Sequence, residues 1–427
     1  MMTDLDTAES GRLALAESSS RLQHPGADPA GGTMKSIAHA APAVDVQAAP
    51  KLHKRNLALD RARTFLTLVV LLHHAVIPYT HFGHTDPTSW IGFDCVVLAT
   101  DSFFMAMFFF LSGLFVWPGL GRKPWLIFLR DRLLRLGLPF VVCAVTVIPI
   151  AYYAIALRTT PELAFSEFWR KTMMFGPWPS GPIWFVWVLM TFDVTASLLY
   201  RVSPRLLEPI NRLSIMGFKR PSKFWLFLVV VSAVAYLPML IHYGQNYWFE
   251  LGPFSVQASR VLLYVSYFFI GAGIGAANLE GGVLSAHGRL TERRWFWTGI
   301  TLIPYALMWV MIYIKREIIG NPDPLPGWYL AAYGSFYVLF SASILFAILA
   351  YFLQSKAVGP TLLDRMQSDA YGMFLVHYPI VLWLQYWLFD MDLPAIAKAA
   401  IAFFATVALS WAATAVLRKL PGANYVL

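Results

Sequence analysis

The stretch LDRARTFLTLVVLLHHAVIPY, residues 59–79, decides the fold class of this chain. It is mostly apolar and about as long as a helix that crosses the hydrocarbon core of a bilayer, roughly 20 residues. Charged residues stand at its start, and His73 and His74 lie deep within it. Ionisable groups at membrane depth are costly and usually face a bundle interior or a water-filled cavity. The segment therefore predicts a transmembrane helix that carries functional groups.

The composition of the whole chain agrees with a lipid environment. Of its 427 residues, 58% are hydrophobic and only 13% are charged, which is unusual for a soluble domain. Apolar windows of spanning length lie near residues 57–79, 93–116, 136–157, 182–200, 224–242, 260–278, 295–314, 329–353, 370–388 and 395–417. The sequence thus predicts an all-α polytopic membrane protein, a bundle of about ten transmembrane helices in contact with the lipid bilayer.

The distribution of positive charge predicts the orientation of this bundle. Cytoplasmic loops of membrane proteins collect Lys and Arg. With the N-terminus inside, the cytoplasmic side holds most of the 33 Lys and Arg residues, and Arg260 and Lys398 are among the few on the other side. Both termini are therefore expected in the cytoplasm. Topology accounts for the net charge of +9, so no nucleic-acid partner is predicted.

The two ends of the chain differ from its middle. Residues 1–50 are rich in Ala, Ser, Gly and Pro and lack a periodic apolar run, so they predict a disordered cytoplasmic tail. They contain no apolar signal-peptide core, and Met34 is an alternative start. Residues 51–420 form the predicted transmembrane domain, and residues 421–427 a short cytoplasmic tail. The loops are short, which places any chemistry within the bundle.

Arg63 and His74 are the first pair of candidate functional residues. They are eleven positions apart, which puts them on nearly one helix face with about 16 Å of rise between them. Asp60, one turn before Arg63, is expected to pair with it. Positive-inside anchoring explains Arg63 equally well, and a neutral histidine bonded to a neighbouring helix is the structural alternative for His74. Of the two adjacent histidines, His73 is the better candidate for a structural role.

Arg132 and Arg135 stand one turn apart at the start of the third predicted span, in FLRDRLLRLGLPF, residues 128–140. Their planar guanidinium groups suit phosphate binding, so they predict a site for an anionic ligand from the cytosol. Taken alone, a solvated cytoplasmic collar explains them equally well. No Cys, His or carboxylate spacing indicates a metal site, and Cys95 and Cys143 are expected at different depths and therefore unbridged.

Four further residues are candidates with weaker signals. Asp101 is a charge within the second span, and His377 is an imidazole within the ninth. Ser112 lies beside Gly113, where small residues also serve close helix packing. Trp184 belongs to FGPWPSGPIWFVWVLM, residues 175–190, which predicts either a sugar-stacking mouth at the outer surface or an interfacial aromatic belt.

These motifs resemble the acyltransferase family 3 membrane O-acyltransferases. The resemblance covers about residues 55–420 and rests on five stretches of sequence. They are Arg63 with His74, FFFLSG at 108–113, RLLRLGLPF at 132–140, IWFVWVLM at 183–190 and YGMFLVHYPIVLWLQYW at 371–387. Ten spans without an appended domain look most similar to the glucan biosynthesis protein C branch. The chain departs from some relatives in having His73 beside His74 and DSFF at 101–104.

The resemblance implies transfer of an acyl group, acetyl or succinyl, from cytosolic acyl-CoA to a hydroxyl of an extracytoplasmic glycan such as a periplasmic glucan. Acyl-CoA would be a substrate, with no permanently bound cofactor, and the protein would lie in a bacterial inner membrane. His74 and Asp101 are then the expected catalytic residues. The expected substrate-binding residues are Arg63, Arg132, Arg135, Ser112, His377 and Trp184.

The alternative is a secondary transporter of a glycan or organic acid that uses His74, Asp101 and His377 as a proton relay. Spacing determines neither the acyl group, the glycan nor the oligomeric state.

Overall fold

The computed structural model describes residues 56–83, 85–276, 279–354, 360–423 and 426. The predicted disordered tail, residues 1–50, lies outside these described residues. The α-helices in chain order are α1 (Leu57–Val76), α2 (Ile91–Gly113), α3 (Val116–Arg122), α4 (Trp125–Arg132), α5 (Leu138–Val142), α6 (Ile148–Thr159), α7 (Phe165–Phe175), α8 (Trp184–Val202), α9 (Glu208–Gly217), α10 (Pro221–Tyr243), α11 (Val261–Gly275), α12 (Arg289–Glu292), α13 (Arg294–Tyr313), α14 (Gly327–Gln354), α15 (Leu362–Met366), α16 (Ala370–Leu388) and α17 (Ala395–Leu417).

The prediction of an all-α polytopic membrane protein is confirmed. Within the described residues, nine helical segments are long and apolar enough to cross a membrane. The tenth expected span also forms a helix, α16, with 19 residues. It is less apolar than the other nine because it carries His377, Gln385 and several tyrosines. Every predicted window is helical, and the boundaries differ by a few residues except at the third.

The third span begins well before the predicted residue 136. Helices α4, α5 and α6 are joined by π-helical turns at Leu133–Gly137 and Cys143–Val147, so one helical segment runs from Trp125 to Thr159. The segment that looked like a solvated collar is therefore part of the helix. Wide π turns inside α-helices are frequent at functional sites, and the first of them contains Arg135.

A β-hairpin between α10 and α11 was not predicted. Strand β1 (Trp248–Leu251) pairs antiparallel with β2 (Phe254–Gln257), with Trp248 opposite Gln257. The turn between them is made possible by Gly252, whose φ of 57° suits glycine. Strand β1 is exposed and most of β2 is buried, so the hairpin covers part of the bundle with the β2 side facing in.

Close packing of α2 against α11 organises the centre of the bundle. A Cβ atom at Gly113 would overlap the carbonyl oxygen of Phe268, and one at Gly271 would overlap that of Phe110. The backbones of the two helices therefore touch, as small residues allow in membrane bundles. This confirms the packing interpretation of Gly113, and Gly271 of α11 serves the same contact. It also fixes the residues of α2 that precede Gly113, including Ser112.

Two cations expected on the outer side are buried in ion pairs. Lys398, at 1% exposure, donates to both carboxylate oxygens of Asp86 at 3.2 Å and to the carbonyl of Phe389 at 2.9 Å. Arg260, at 9% exposure, pairs with Asp101. The sequence predicted only the side of the membrane for these two cations, and their burial in ion pairs was not predicted.

Candidate active site

Four of the predicted substrate-binding residues line one cavity. It has a volume of about 410 Å³, and its walls include Arg63 from α1, Ser112 from α2 and Arg132 with Arg135 at the start of the third span. Sequence spacing could not show that these elements meet. Their convergence places three guanidinium groups around one space, which we call the arginine cavity.

Contacts with neighbouring groups hold two of these arginines in place. Arg63 donates to the carbonyl oxygen of Leu111 at 3.0 Å, and its guanidinium lies 4.2 Å from the ring centroid of Phe115. Its expected partner Asp60 is 3.9 Å away. Arg132 lies over the ring of Phe128 at 5.0 Å. Both arginines are thus oriented while parts of their side chains remain accessible, at 35% and 25% exposure.

A second, smaller cavity has a volume of about 160 Å³ and is lined by both predicted catalytic residues. His74 and Asp101 line it together with His73, Trp184 and Arg260. We call it the histidine cavity. Trp248 and Gln257 of the β-hairpin close one side of it. The structure thus brings His74, Asp101 and Trp184 to one space, a grouping that the sequence did not predict.

The adjacent histidines have different hydrogen-bonding environments. His73 is buried at 7% exposure, and its Nδ1 lies 2.7 Å from the hydroxyl of Thr100. That hydroxyl also lies 2.8 Å from the carbonyl oxygen of Val96, so His73 belongs to a local network of hydrogen bonds. Among the described residues, none hydrogen-bonds to a ring nitrogen of His74. His74 is therefore the histidine whose nitrogens are available to a substrate.

His377 lies behind His74 and does not line either of the two cavities. Its ring stacks on that of His74 with centroids 5.3 Å apart, and its Nδ1 donates to the carbonyl of Phe374 at 2.6 Å. The ring is fully buried. The structure thus places His377 against the ring of His74, and its contact with a substrate stays a prediction.

Asp101 has a partner that the sequence reasoning did not identify. Arg260 donates to Asp101 through both terminal nitrogens, at 2.8 and 2.5 Å, which is a bidentate ion pair. The Asp101 side chain remains 42% exposed, against 11% for Arg260. Because the guanidinium fixes and neutralises it, this carboxylate suits hydrogen bonding to a substrate hydroxyl better than proton abstraction.

Aromatic side chains surround the same cavity. The ring of Trp184 stacks on Tyr264 at a centroid distance of 5.6 Å and meets Trp248 edge-on at 6.0 Å. Flat aromatic faces beside carboxylate, guanidinium and amide groups form a surface that is both apolar and hydrogen-bonding. The predicted mouth at Trp184 is therefore part of the cavity wall.

Phe374 of α16 separates the two cavities. It is shared by their described linings, and its side chain is 5% exposed. Phe185 packs edge-on against it at 5.8 Å. Along α1, Arg63 lines one cavity and His74 lines the other, so a single helix connects the guanidinium groups to the imidazole across this aromatic partition.

Asp193 is a further site residue that the sequence analysis missed. It lies on α8, lines the arginine cavity and is 3.3 Å from Nε of Arg132. A carboxylate inside an apolar span was a visible signal by the same rule that singled out Asp101. In the part of the chain that the structure describes, no group of three or more His, Cys, Asp or Glu is arranged to hold a metal ion.

Comparison with known proteins yields one match. A family model described as an acyltransferase domain, Acyl_transf_3, matches residues 56–415. No curated protein and no solved structure matches the chain. The matched residues contain both cavities and every candidate residue described above.

Proposed function

Because the chain belongs to the Acyl_transf_3 family of acyltransferases, we propose that this multi-pass membrane protein moves an acyl group from cytosolic acyl-CoA to a hydroxyl of an extracytoplasmic glycan. The observation that carries the proposal is the pair of cavities on either side of Phe374. One is rich in guanidinium groups and the other holds imidazoles. Two substrates that enter from opposite sides would meet at the partition.

The arginine cavity is the proposed donor site. Arg63, Arg132 and Arg135 line it, and guanidinium groups bind phosphates with short, charge-assisted hydrogen bonds. Positive charge collects on the cytoplasmic side of membrane proteins, so we orient this cavity toward the cytosol. With the phosphates held here, the pantetheine arm extends along α1 toward His74, about 16 Å deeper.

The chemistry we propose uses His74 as a general base. His74 takes the proton of the acceptor hydroxyl while the oxygen attacks the thioester carbonyl. The new C–O bond forms, the C–S bond breaks, and the CoA thiolate leaves and receives the proton. Imidazole suits this work because its ordinary pKa lies near working pH. A positioned base typically contributes about 10²- to 10⁴-fold to the rate.

The histidine cavity is the proposed acceptor site. Trp184 and Trp248 offer flat faces, and Asp101 with Gln257 offers hydrogen-bonding groups. This combination suits a sugar ring, whose faces are apolar and whose edges carry hydroxyls. We propose a glycan such as a periplasmic glucan as acceptor, acetyl or succinyl as the acyl group, and a bacterial inner membrane as the location, in line with the glucan biosynthesis protein C branch.

The test is acyl transfer by the purified protein in lipid nanodiscs. Acetyl-CoA or succinyl-CoA is supplied with periplasmic glucan, and free thiol release and glucan mass are followed. The wild type should release thiol and add the acyl mass, and His74→Ala should lose about 10²- to 10⁴-fold in rate. His242→Ala, an exposed histidine outside both cavities, is the matched control. Transfer by His74→Ala at the wild-type rate would refute the assignment.

The family match favours the enzyme over the secondary transporter. Counterflow in proteoliposomes without acyl-CoA separates the two, because the enzyme accumulates no substrate. Mass spectrometry of envelope glycans from cells with and without the protein would identify the acyl group and its acceptor together.

A further inference from the structure

Asp193 is a carboxylate without a hydrogen-bond donor in the wall of the arginine cavity. The residue is fully buried from bulk solvent, at 0% exposure. Neither of its carboxylate oxygens accepts a hydrogen bond from any described residue. Its ion partner is Arg132, whose Nε lies 3.3 Å away without hydrogen-bond geometry. Arg132 thus compensates part of the negative charge of Asp193, while neither carboxylate oxygen accepts a hydrogen bond from the described residues.

Such an arrangement is costly in the empty protein. A buried polar group left without its hydrogen bonds costs about 1–3 kcal/mol, and more when it is charged. Buried unsatisfied groups are few in native proteins, and each calls for a specific explanation. Asp193 lines a cavity of about 410 Å³. A molecule bound in that cavity could therefore supply the missing hydrogen-bond donor.

The charge of Asp193 limits which part of a donor substrate it contacts. Phosphate groups carry the same sign and would be repelled, whereas the cavity's three guanidinium groups attract them. An uncharged N–H or O–H group is the complementary partner, since a carboxylate accepts strong hydrogen bonds from both. In coenzyme A, two amide N–H groups and one hydroxyl lie along the pantetheine arm, between the phosphates and the thiol.

The position of Asp193 fits that arm. Phe185, Leu189 and Asp193 are spaced four residues apart on α8 and all line the arginine cavity, so they form one stripe about 12 Å long. Phe185 packs on the Phe374 partition at the end of this stripe. A chain that runs from the arginines to the partition therefore passes along it.

We propose that Asp193 binds acyl-CoA by accepting a hydrogen bond from an N–H or O–H group of the pantetheine arm. The inference rests on the proposed acyl-CoA function. Asp193 then contributes to recognition of the arm, while the arginines recognise the phosphates. The adenine amino group is the competing N–H donor, and an indirect effect through Arg132 is the competing mechanism.

Two probes separate these possibilities. Coenzyme A contains the pantetheine arm, and adenosine 3′,5′-bisphosphate contains the adenine and phosphates without it. Dissociation constants for both are measured by calorimetry on the full chain in nanodiscs. The quantity compared is the ratio of the coenzyme A constant to the bisphosphate constant in each variant.

Asp193→Leu removes the acceptor and puts a larger, apolar side chain in its place. The ratio should rise about 10- to 100-fold, which corresponds to the 1.5–3 kcal/mol of a hydrogen bond to a charged group. Asp193→Asn keeps one acceptor oxygen without the charge and should raise the ratio by a smaller factor. It also serves if the leucine variant does not fold. Asp131→Asn, an exposed carboxylate on the neighbouring helix that does not line the cavity, should leave the ratio unchanged.

Three results would overturn the inference. Equal weakening of both probes would assign Asp193 to the adenine or to the orientation of Arg132. Equal tightening of both would mean that the carboxylate only repels phosphate. No change in either dissociation constant, with normal wild-type binding, would exclude contact with the arm. If the wild type bound neither probe, the acyl-CoA function itself would fall, which is a different observation from any of these three.

Discussion

Arg130 and Arg132 are two positions apart on α4 and have different surroundings. Arg132 lines the arginine cavity and contacts Asp193, whereas the Arg130 side chain is 70% exposed and pairs with Asp131. We therefore expect Arg132→Ala to raise the KM for acyl-CoA by roughly 10- to 100-fold, the loss of a charged hydrogen bond. The kcat should change little, because phosphate binding is the same in ground and transition states. Initial rates at varied donor concentration measure both parameters.

Arg130→Ala is the matched control for this prediction. It removes the same charge from the same helix, so a general electrostatic effect on the anionic donor would appear in both variants. A fall in kcat with unchanged KM in Arg132→Ala, or equal effects of the two substitutions, would contradict the donor-site assignment.

The ion pair between Lys398 and Asp86 supports a second prediction. Both side chains are buried, at 1% and 2% exposure. Lys398→Met leaves a buried carboxylate without its cation, which costs about 3–5 kcal/mol, so the melting temperature in detergent should fall sharply. Lys398→Met combined with Asp86→Asn should recover much of this loss, since no charge is left unpaired. A double variant as unstable as the single one would mean that packing, and not charge, is responsible.

Functional residues could be predicted from the sequence where a charged or imidazole side chain stands in an apolar span. Arg63, His74, Arg132 and Arg135 stand out as charges or imidazoles in apolar sequence, and the structure brings them to the cavities. Arg260 did not stand out, because the sequence does not tell a buried cation at a helix start from a loop cation. Its partnership with Asp101 joins residues 159 positions apart, and such pairing arises only when helices pack.

The contact between α2 and α11 makes a prediction about helix packing. Gly271→Ala places a Cβ where it overlaps the carbonyl oxygen of Phe110, and overpacking of this kind costs about 1–3 kcal/mol. The melting temperature should drop. Gly299→Ala on α13 is the control, because nothing lies within 4 Å of the added atom and alanine is the better helix former by about 1 kcal/mol. A stable Gly271→Ala protein would show that the two helices separate easily.

The membrane-spanning helices were predicted more completely than the functional residues or the cavities. Membrane spans follow from the length of apolar sequence, which a bilayer of fixed thickness selects, and the window at residues 395–417 coincides with α17. The β-hairpin was missed, because aromatic residues such as Trp248 between two spans are also typical of an interfacial belt. Its strands have four residues each. An alternation of apolar and polar residues over so few positions does not distinguish a strand from a loop.

The position of Phe374 between the two cavities leads to a prediction about acyl-CoA hydrolysis. Phe374→Ala joins the two cavities and should raise acyl-CoA hydrolysis in the absence of an acceptor, because water then reaches the thioester. Such a truncation also destabilises by about 3–5 kcal/mol, so Phe374→Leu, which keeps most of the volume, should show a smaller rise in a stable protein. Thiol release without glycan is the measurement.

Phe404→Ala is the control for the partition. This phenylalanine on α17 is 68% exposed and lines neither cavity. If hydrolysis did not change in either Phe374 variant, or rose equally in Phe404→Ala, the partition would not control access of water to the thioester.

The two cavities could not be derived from the sequence. Each is lined by residues from several helices, and its volume depends on how those helices tilt and pack. The 16 Å rise between Arg63 and His74 was derivable, because it is a property of one helix. The aromatic barrier between their two spaces was not, since Phe374 belongs to α16, at least 300 residues away from both along the chain.

The same barrier has a consequence for the energy metabolism of the cell. A proton that crosses a membrane down a potential of 100 mV releases about 2.3 kcal/mol, so a continuous water column through a bundle would discharge the gradient that the membrane maintains. In the proposed reaction each substrate occupies one cavity, and Phe374, which lines both, would interrupt such a water column between them. An acetyl group is small and uncharged, so its passage past the ring would move no charge across the membrane.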